Sequence, residues 1–326
     1  MNKVATSLVV LMASAVVGCG GGGGSSGGGS SGGGTSPTLS AFTSWSNVKP
    51  GERVVLTGDS QEATFSATVF TDSIRVDNLD IKERKSGAEL IAGDISNGNL
   101  NYLKLRTAEG NIIEKSALSG DRFIRRNTAQ GDSLELIRYF TTAVNSSGTE
   151  YIIFSDPNRT NFEYQTFGIW TTGGGTGNGK AGDFSVGIAT QLSNMPTSGS
   201  AIYAGFAGGR YVDSNGNSYL TMSNLLLSAD FTTGVVNFNT INTLTQRENS
   251  GGDGVFSANN NLDIVGSLNI VSGTNEFSGS ATSSAGMAGN VNGKFYGPTA
   301  NEVGGNFSLI DSGTNRLHVG AFGGKR

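Results

Sequence analysis

The amino-acid sequence predicts an all-β protein whose C-terminal half closes into an antiparallel barrel. The chain has 51 glycines but only five prolines among its 326 residues, and long helical patterns are scarce. Short strands joined by many turns are the natural interpretation of this composition. After Trp170, small residues alternate with large ones on one strand face, as in Ile264, Gly266 and Leu268. Such alternation fits a narrow closed barrel, in which inward side chains share a limited width.

A β-rich section precedes the barrel and carries most of the charge. β-branched and apolar residues predict strands at residues 52–57, 63–70, 73–82 and 100–107. Residues 133–144 fit a helical spacing but have strand-forming side chains, and we interpret them as a strand. Glycine-rich residues 173–182 then form a connector. We therefore divide the folded body into a β-rich domain, residues 38–172, and a barrel domain, residues 173–326.

The N-terminal residues have the features of a bacterial lipoprotein signal. Lys3 is followed by an apolar run, by the small residue Gly18 and by Cys19, the only cysteine of the chain. The apolar run is about 14 residues long, and a membrane-spanning helix needs about 20. Val16-Val17-Gly18-Cys19 also matches the lipobox, in which the cysteine becomes the lipidated first residue. We predict a signal peptide over residues 1–18 and lipidation of Cys19.

The residues after Cys19 predict a flexible tether that ends at residue 37. They are almost entirely glycine and serine, which gives a root-mean-square reach of roughly 20–25 Å. A tether of this length holds the folded body clear of lipid headgroups. Gly20 stands where an inner-membrane retention signal commonly places aspartate, and this favours the outer membrane.

Charge and residue counts exclude several classes of function. Loss of residues 1–18 removes Lys3 and takes the formal net charge from −4 to −5, without the basic stripe that nucleic-acid binding needs. Lipidation of Cys19 leaves no thiol for disulfides or metal ligation. His318 is the only histidine, so one chain cannot ligate haem through two imidazoles or build a multi-histidine metal site.

The remaining candidate motifs are weak. Leu317, Val319 and Ala321 alternate on one strand face, which predicts His318 at the surface or partly packed on the other. Residues 213–217 resemble a calcium loop, but Asn215-Gly216 is better explained as a hairpin turn. Residues 239–261 suggest a long polar loop, and such loops often bind ligands.

Two basic groups are more often solvated than functional, although both could contact an acidic partner. They are Lys82 with Arg84 and Lys85, and Arg122 with Arg125 and Arg126. Carboxylates such as Asp183, Asp230 and Glu302 show no acid/base spacing, and we predict that the protein is not an enzyme. The sequence gives no indication of a cofactor or metal.

Residues near the C-terminus resemble a known family. Residues 294–307 (KFYGPTANEVGGNF, here called the signature segment) and the closing residues 320–326 (GAFGGKR) look like the C-terminal signature of transferrin-binding protein B-like lipoproteins. Residues 162–170, 196–205 and 229–231 fall where the same barrel lobe has similar segments. The resemblance implies a single lobe, with a handle-like N-terminal domain and a barrel of about eight antiparallel strands. Transferrin-binding protein B has two such lobes, and this chain has length for one.

The resemblance implies a binding function without identifying the ligand, since shared fold leaves function open. We expect a monomeric, lipid-anchored outer-membrane protein, at the cell surface or facing the periplasm, that binds a host or environmental protein or nutrient carrier. Single-lobe relatives include factor H-binding and haem-scavenging proteins. An iron carrier, haem or another small solute therefore stays an alternative ligand, and no family binding residue can be carried over.

Overall fold

The computed structural model describes residues 38–69, 74–96, 98–126, 135–173, 177–248 and 255–326. It is all-β, as predicted, and its strands form two sheets. The first sheet contains β1 Thr38–Ala41, β2 Glu52–Val69, β3 Ile74–Ile81, β4 Lys85–Gly93, β5 Tyr102–Arg106, β6 Ile112–Ser116, β7 Arg122–Arg125, β8 Phe140–Val144, β9 Tyr151–Ser155, β10 Gln165–Thr172 and β11 Asn178–Gly187. The second contains β12 Ser200–Val212, β13 Ser218–Asp230, β14 Val235–Arg247, β15 Phe256–Ala258, β16 Ile264–Ile270, β17 Glu276–Ser283, β18 Ala288–Tyr296, β19 Glu302–Asp311 and β20 Arg316–Lys325.

Helical structure in the described residues is limited to single turns. The α-helix α1, Pro157–Thr160, begins at Asp156, whose side chain accepts a hydrogen bond from the Asn158 N–H. Such a cap satisfies one of the backbone donors that a helix start leaves free. The 3₁₀ turns are Trp45–Asn47, Ala117–Ser119, Glu135–Tyr139, Leu192–Asn194 and Asn260–Leu262.

The second sheet closes into a barrel of eight antiparallel strands. Neighbours along the sheet follow the order β13-β12-β20-β19-β18-β17-β16-β14, and a further pairing of β13 with β14 completes the ring. The last strand is part of the closure, because β20 pairs with β12 on one side and with β19 on the other. The predicted closed barrel and its strand number are confirmed.

The first sheet curves around its own core. Its longest strand, β2, pairs with β11 along one edge and with β4 and then β3 along the other. Alternate residues of these strands pack together inside the curve, among them Leu56, Leu90, Trp170 and Phe184, all at most 1% exposed. The opposite face of β9, β10 and β11 is also buried, because it lies against the barrel.

Three features of the sequence fold differently from our expectation. Strand β11 begins at Asn178, within the residues predicted as a connector, and it pairs with β10 and β2, so it lies in the first sheet and not in the barrel. Residues 239–247 are not loop, because they continue β14, which pairs with β13. Residues 135–139 form a 3₁₀ turn, and the strand predicted there begins only at Phe140.

Candidate functional site

The interior of the barrel is filled by its own side chains. Inward residues of its strands form one cluster of mainly aromatic and aliphatic groups, in which Tyr203, Phe238, Phe277, Phe295 and Phe322 are fully buried. A core packed in this way is typical of small barrels. The outer surface of the barrel is therefore the place to look for a binding site.

His318 lies inside the barrel, and the prediction of a surface or partly packed histidine is wrong. It is 1% exposed, its Nε2 atom lies 2.9 Å from Thr221 Oγ1, and its ring meets the Phe307 ring edge-on at 4.9 Å. Burial lowers the pKa of His318 to about 3, so the imidazole is neutral. The alternation was correct, but Leu317 and Val319 are on the outward face and line a cavity against the first sheet.

The outward residues of the signature segment contact the first sheet. Glu302, on β19, accepts hydrogen bonds from the backbone N–H groups of Glu163, at 2.6 Å, and Tyr164, at 3.0 Å. Burial raises the pKa of Glu302 to about 7, against the lowering effect of these two donors. Tyr296 reaches the Ser185 hydroxyl on β11 at 3.2 Å. Asn306 donates to the carboxyl of Asp183, also on β11.

Two glycines of the signature segment make room for side chains of the first sheet. Gly297 has a φ of +84°, and a Cβ there would lie 2.6 Å from the Tyr164 ring. At Gly304 a Cβ would lie 2.8 Å from Ser185 Oγ and 3.0 Å from Gln165 Oε1. Real Cβ atoms do not approach other atoms so closely, and glycine also adopts positive φ at little cost. Both positions therefore require glycine for docking of the sheet.

Two groups of charged residues also connect the sheets. In the first group, Lys294 Nζ of β18 lies 2.9 Å from Asp59 Oδ1 of β2, and Arg84 Nη1 lies 2.5 Å from Asp59 Oδ2. Both cations also approach Glu276 of β17.

The second group is deeper. Arg210 of β12 binds Glu248 through Nε at 2.8 Å and Nη2 at 3.0 Å, and its Nη2 also donates to Tyr151 and Thr171 of the first sheet. Burial raises the pKa of Glu248, but the charge and hydrogen bonds of Arg210 outweigh it and hold that pKa below its usual value. The pair is thus a buried ion pair with its hydrogen bonds satisfied.

These contacts explain the signature segment as a docking surface between the sheets. Sequence reasoning found no acid/base spacing for Glu302 and missed its partners, which lie more than 130 residues earlier. One signal was available: Lys294, Tyr296, Glu302, Gly304 and Asn306 alternate along two strands and share the outward face. We call this face of β18, β19, β20 and the second half of β12 the docked face.

The remaining outer surface of the barrel, the free face, is different. The register places Ala204, Leu226, Asn239 and Val265 side by side across β12, β13, β14 and β16. Ile202 of β12 and Ile241 of β14 lie on the same face, two residues along their strands from Ala204 and Asn239. Their aliphatic side chains are exposed: Ile202 by 64%, Val265 by 53%, and Leu226 and Ile241 by 46% each. The neighbours on β13, β14 and β16 are uncharged, namely Asn224, Ser228, Asn237 and Ser267, and Lys325 of β20 lies opposite Ala204 at the edge of this face.

We call Ile202, Leu226, Ile241 and Val265 the aliphatic row. Single exposed aliphatic residues need no explanation, but contiguous ones mark interaction sites. Sequence reasoning missed this row, because Ile241 falls in the predicted loop and the other members look like ordinary strand residues until the register aligns the strands.

The basic groups singled out in the sequence are largely neutralised within the protein. Lys82 pairs with Asp80, Arg84 with Asp59, and Lys85 with Glu109. Arg125 pairs with the buried Asp156, and Arg126 lies 6.0 Å from the Phe256 ring. These residues are therefore poor candidates for an anion site.

Other predicted features have different outcomes. Cys19 and the tether lie outside the described residues. Among the residues that the structure describes, no helix is long and apolar enough to cross a membrane. The same residues contain no group of three or more histidine, cysteine or carboxylate side chains able to hold a metal ion.

Residues 195–326 match the model of a protein family described as the C-lobe and N-lobe β-barrels of transferrin-binding protein B. This barrel is similar to that family. The match begins just before β12 and includes every strand of the second sheet together with the signature segment. The predicted family resemblance is therefore confirmed for the barrel.

Solved structures that are similar to this chain include transferrin-binding protein B from two bacterial species. A variant of transferrin-binding protein B from Haemophilus parasuis is 15% identical, with 83% of this chain and 76% of that chain covered and a TM-score of 0.42. Transferrin-binding protein B from Neisseria meningitidis is 14% identical, with 81% and 58% covered and a TM-score of 0.40. A structure titled surface lipoprotein is 11% identical, with 81% and 98% covered and a TM-score of 0.36. A comparison with curated proteins finds no match.

Proposed function

We propose that this chain is a lipoprotein of the outer membrane that binds a macromolecular partner or nutrient carrier and catalyses no reaction. The observation that carries the proposal is the match of residues 195–326 to the barrels of a transferrin-binding protein. The lipobox at Cys19 and the tether support anchoring and display. The identity of the partner stays open, because members of one fold family bind different ligands.

The aliphatic row is the contact surface that we propose. Binding interfaces have apolar centres surrounded by polar residues, and exposed aliphatic side chains lose contact with water when a partner covers them. The uncharged asparagine and serine neighbours cost little to desolvate compared with charged groups. The partner that fits this surface is a protein with an apolar patch of its own.

A capture experiment with matched variants tests the contact surface. Leu226→Asp places a charge in the centre of the row, whereas Ser280→Asp places it at an exposed outward position of β17. We expect the wild type and Ser280→Asp to capture the same protein from the organism's natural fluids. Leu226→Asp should weaken that capture by roughly tenfold or more. Equal capture by both variants would contradict the proposed surface.

Membrane fractionation tests the anchor separately. Cys19→Ser removes the acylation site, and a glycine/serine tail has no affinity for lipid, so the variant should leave the membrane fraction. Detergent phase partitioning measures this change. Retention of the variant equal to that of the wild type would show that the anchor assignment is wrong.

A further inference from the structure

Asp183 and Asn306 meet at the centre of the docked face. Asp183 lies on β11 between β2 and β10, and it is 1% exposed. Asn306, on β19, is 2% exposed, and its Nδ2 donates a hydrogen bond to Asp183 Oδ1. Two further oxygens of this pair, Asp183 Oδ2 and Asn306 Oδ1, are buried without a partner.

Two buried oxygens that receive no hydrogen bond from the protein are costly unless another donor reaches them. A carboxylate offers acceptors only, whereas a protonated carboxyl offers one O–H donor. A proton on Asp183 Oδ2 would give Asn306 Oδ1 the donor that it lacks. Carboxylic acid and amide would then be joined by two antiparallel hydrogen bonds.

The charge of Arg84 favours the carboxylate form of Asp183 and acts to lower its pKa. Each cation of this region is nevertheless bound to another carboxylate: Arg210 to Glu248, and Arg84 and Lys294 to Asp59. Glu302 lies on the same face of β19 as Asn306, and Glu62 bonds to Thr107 and Asn111. Neither of these groups adds a positive charge.

The remaining surroundings are apolar. Asp183 lines a cavity of about 30 Å³ between the sheets, together with Ile81, Ile169, Leu317 and Val319. Burial raises the pKa of Asp183 well above its usual value, although the hydrogen bond from Asn306 and a backbone bond from Gln61 act in the opposite direction.

We propose that Asp183 is a neutral carboxylic acid in the folded protein at pH 7, and that it donates a hydrogen bond to Asn306 across the two sheets. The contact between the two sheets is consequently sensitive to pH. It holds while the proton is present, and alkaline pH weakens it by leaving an unpaired carboxylate in an apolar site.

The sign of the effect follows from proton binding. In the unfolded chain Asp183 ionises near pH 4, whereas in the folded protein it keeps its proton to higher pH. Over the intervening range the folded state binds one proton more, so raising the pH destabilises it relative to a variant without this group. The ratio of the wild-type to the variant unfolding constant should rise tenfold per pH unit.

Asp183→Asn supplies the comparison, because its amide can donate to Asn306 Oδ1 and accept from Nδ2 without titrating. Denaturant unfolding of full-length protein between pH 5 and pH 7 should show the tenfold rise per unit. Asp80→Asn, at an exposed position of the same sheet, should give a constant ratio. A constant ratio for Asp183→Asn would overturn the proposal.

Infrared spectroscopy supplies a second measurement that needs no unfolding. The difference spectrum between wild type and Asp183→Asn at pH 7 should contain a protonated carboxyl band in the wild type. If the variant does not fold, carboxyl ¹³C shifts of wild-type protein labelled at aspartate replace it. One buried aspartate should remain in the acid form from pH 5 to pH 7, and ionised shifts for every aspartate would refute the acid–amide pair.

Discussion

The docked face and the free face of the barrel reverse the usual relation between polarity and burial. The docked face carries Lys294, Glu302 and Asn306, yet these residues are mostly or fully buried. The free face exposes aliphatic residues such as Ile202 and Leu226. Both faces belong to strands of one closed sheet with the same inward packing. The difference shows that the partner of each face, and not the strand itself, gives its side chains their role.

On the docked face, polar groups are buried because the first sheet provides each with a partner. A buried charge without a partner is expensive, so removing one member of a pair costs far more than the net value of the pair. On the free face no such constraint holds, and a substitution there should affect binding more than folding. The following predictions test this contrast, from the largest effect to the smallest.

Breaking the ion pair between Arg210 and Glu248 should have the largest effect. Glu248→Ala leaves the Arg210 guanidinium buried without its counter-ion, and we expect a loss of about 3–5 kcal/mol in the free energy of unfolding. Chemical denaturation measures the loss. Leu226→Asp on the free face should cost much less, and similar losses for both variants would contradict the contrast.

The docked face and the barrel interior should respond to pH with opposite signs. Glu302 has a folded pKa of about 7, above its usual value, so the folded state binds the extra proton and loses stability as the pH rises from 4.5 to 7. The full effect is about 3 kcal/mol at most. Glu302→Gln should remove this dependence, as denaturation curves across that range will show.

His318 titrates in the other direction. Its folded pKa is about 3, below its usual value, so the unfolded state binds the proton first and the protein loses stability as the pH falls from 6.5 towards 3. His318→Gln should reduce this loss of stability at acid pH without changing the effect of Glu302. Thermal melts of His318→Gln and Glu302→Gln over pH 3–7 separate the two titrations. An unchanged loss of stability at acid pH in His318→Gln would exclude this histidine as its source.

The glycine contacts of the docked face should give the smallest effect. Gly297→Ala combines a positive φ with a clash against the Tyr164 ring, whereas Gly286→Ala has a φ of +82° with nothing near its Cβ. We expect Gly297→Ala to cost about 1–3 kcal/mol more, because the docked sheet must shift. Equal melting temperatures of Gly297→Ala and Gly286→Ala would contradict this expectation and show that the Tyr164 ring moves without loss of stability.

Patterns within single segments predicted much of the fold. Alternation such as that of Ile264, Gly266 and Leu268 identified strands, the small and large residues predicted barrel closure, and the signature segment indicated the family. Pairing and contacts between distant segments could not be predicted from the sequence. The continuation of β14 through Asn239 was mistaken for loop, since asparagines and threonines also suit a loop.

The sequence by itself determined the all-β class, the closed barrel and the alternation of the signature segment between two faces, because these depend on spacing along the chain. It also placed Leu317 and His318 on opposite faces of β20. Only the tertiary structure decided which face points into the barrel. Leu317 lies on the outer surface of the barrel and is buried by the first sheet, whereas His318 lies in the barrel interior. The partners of Glu302 and Asp183 were decided in the same way, since hydrogen bonds across sheets depend on distances that no local pattern contains.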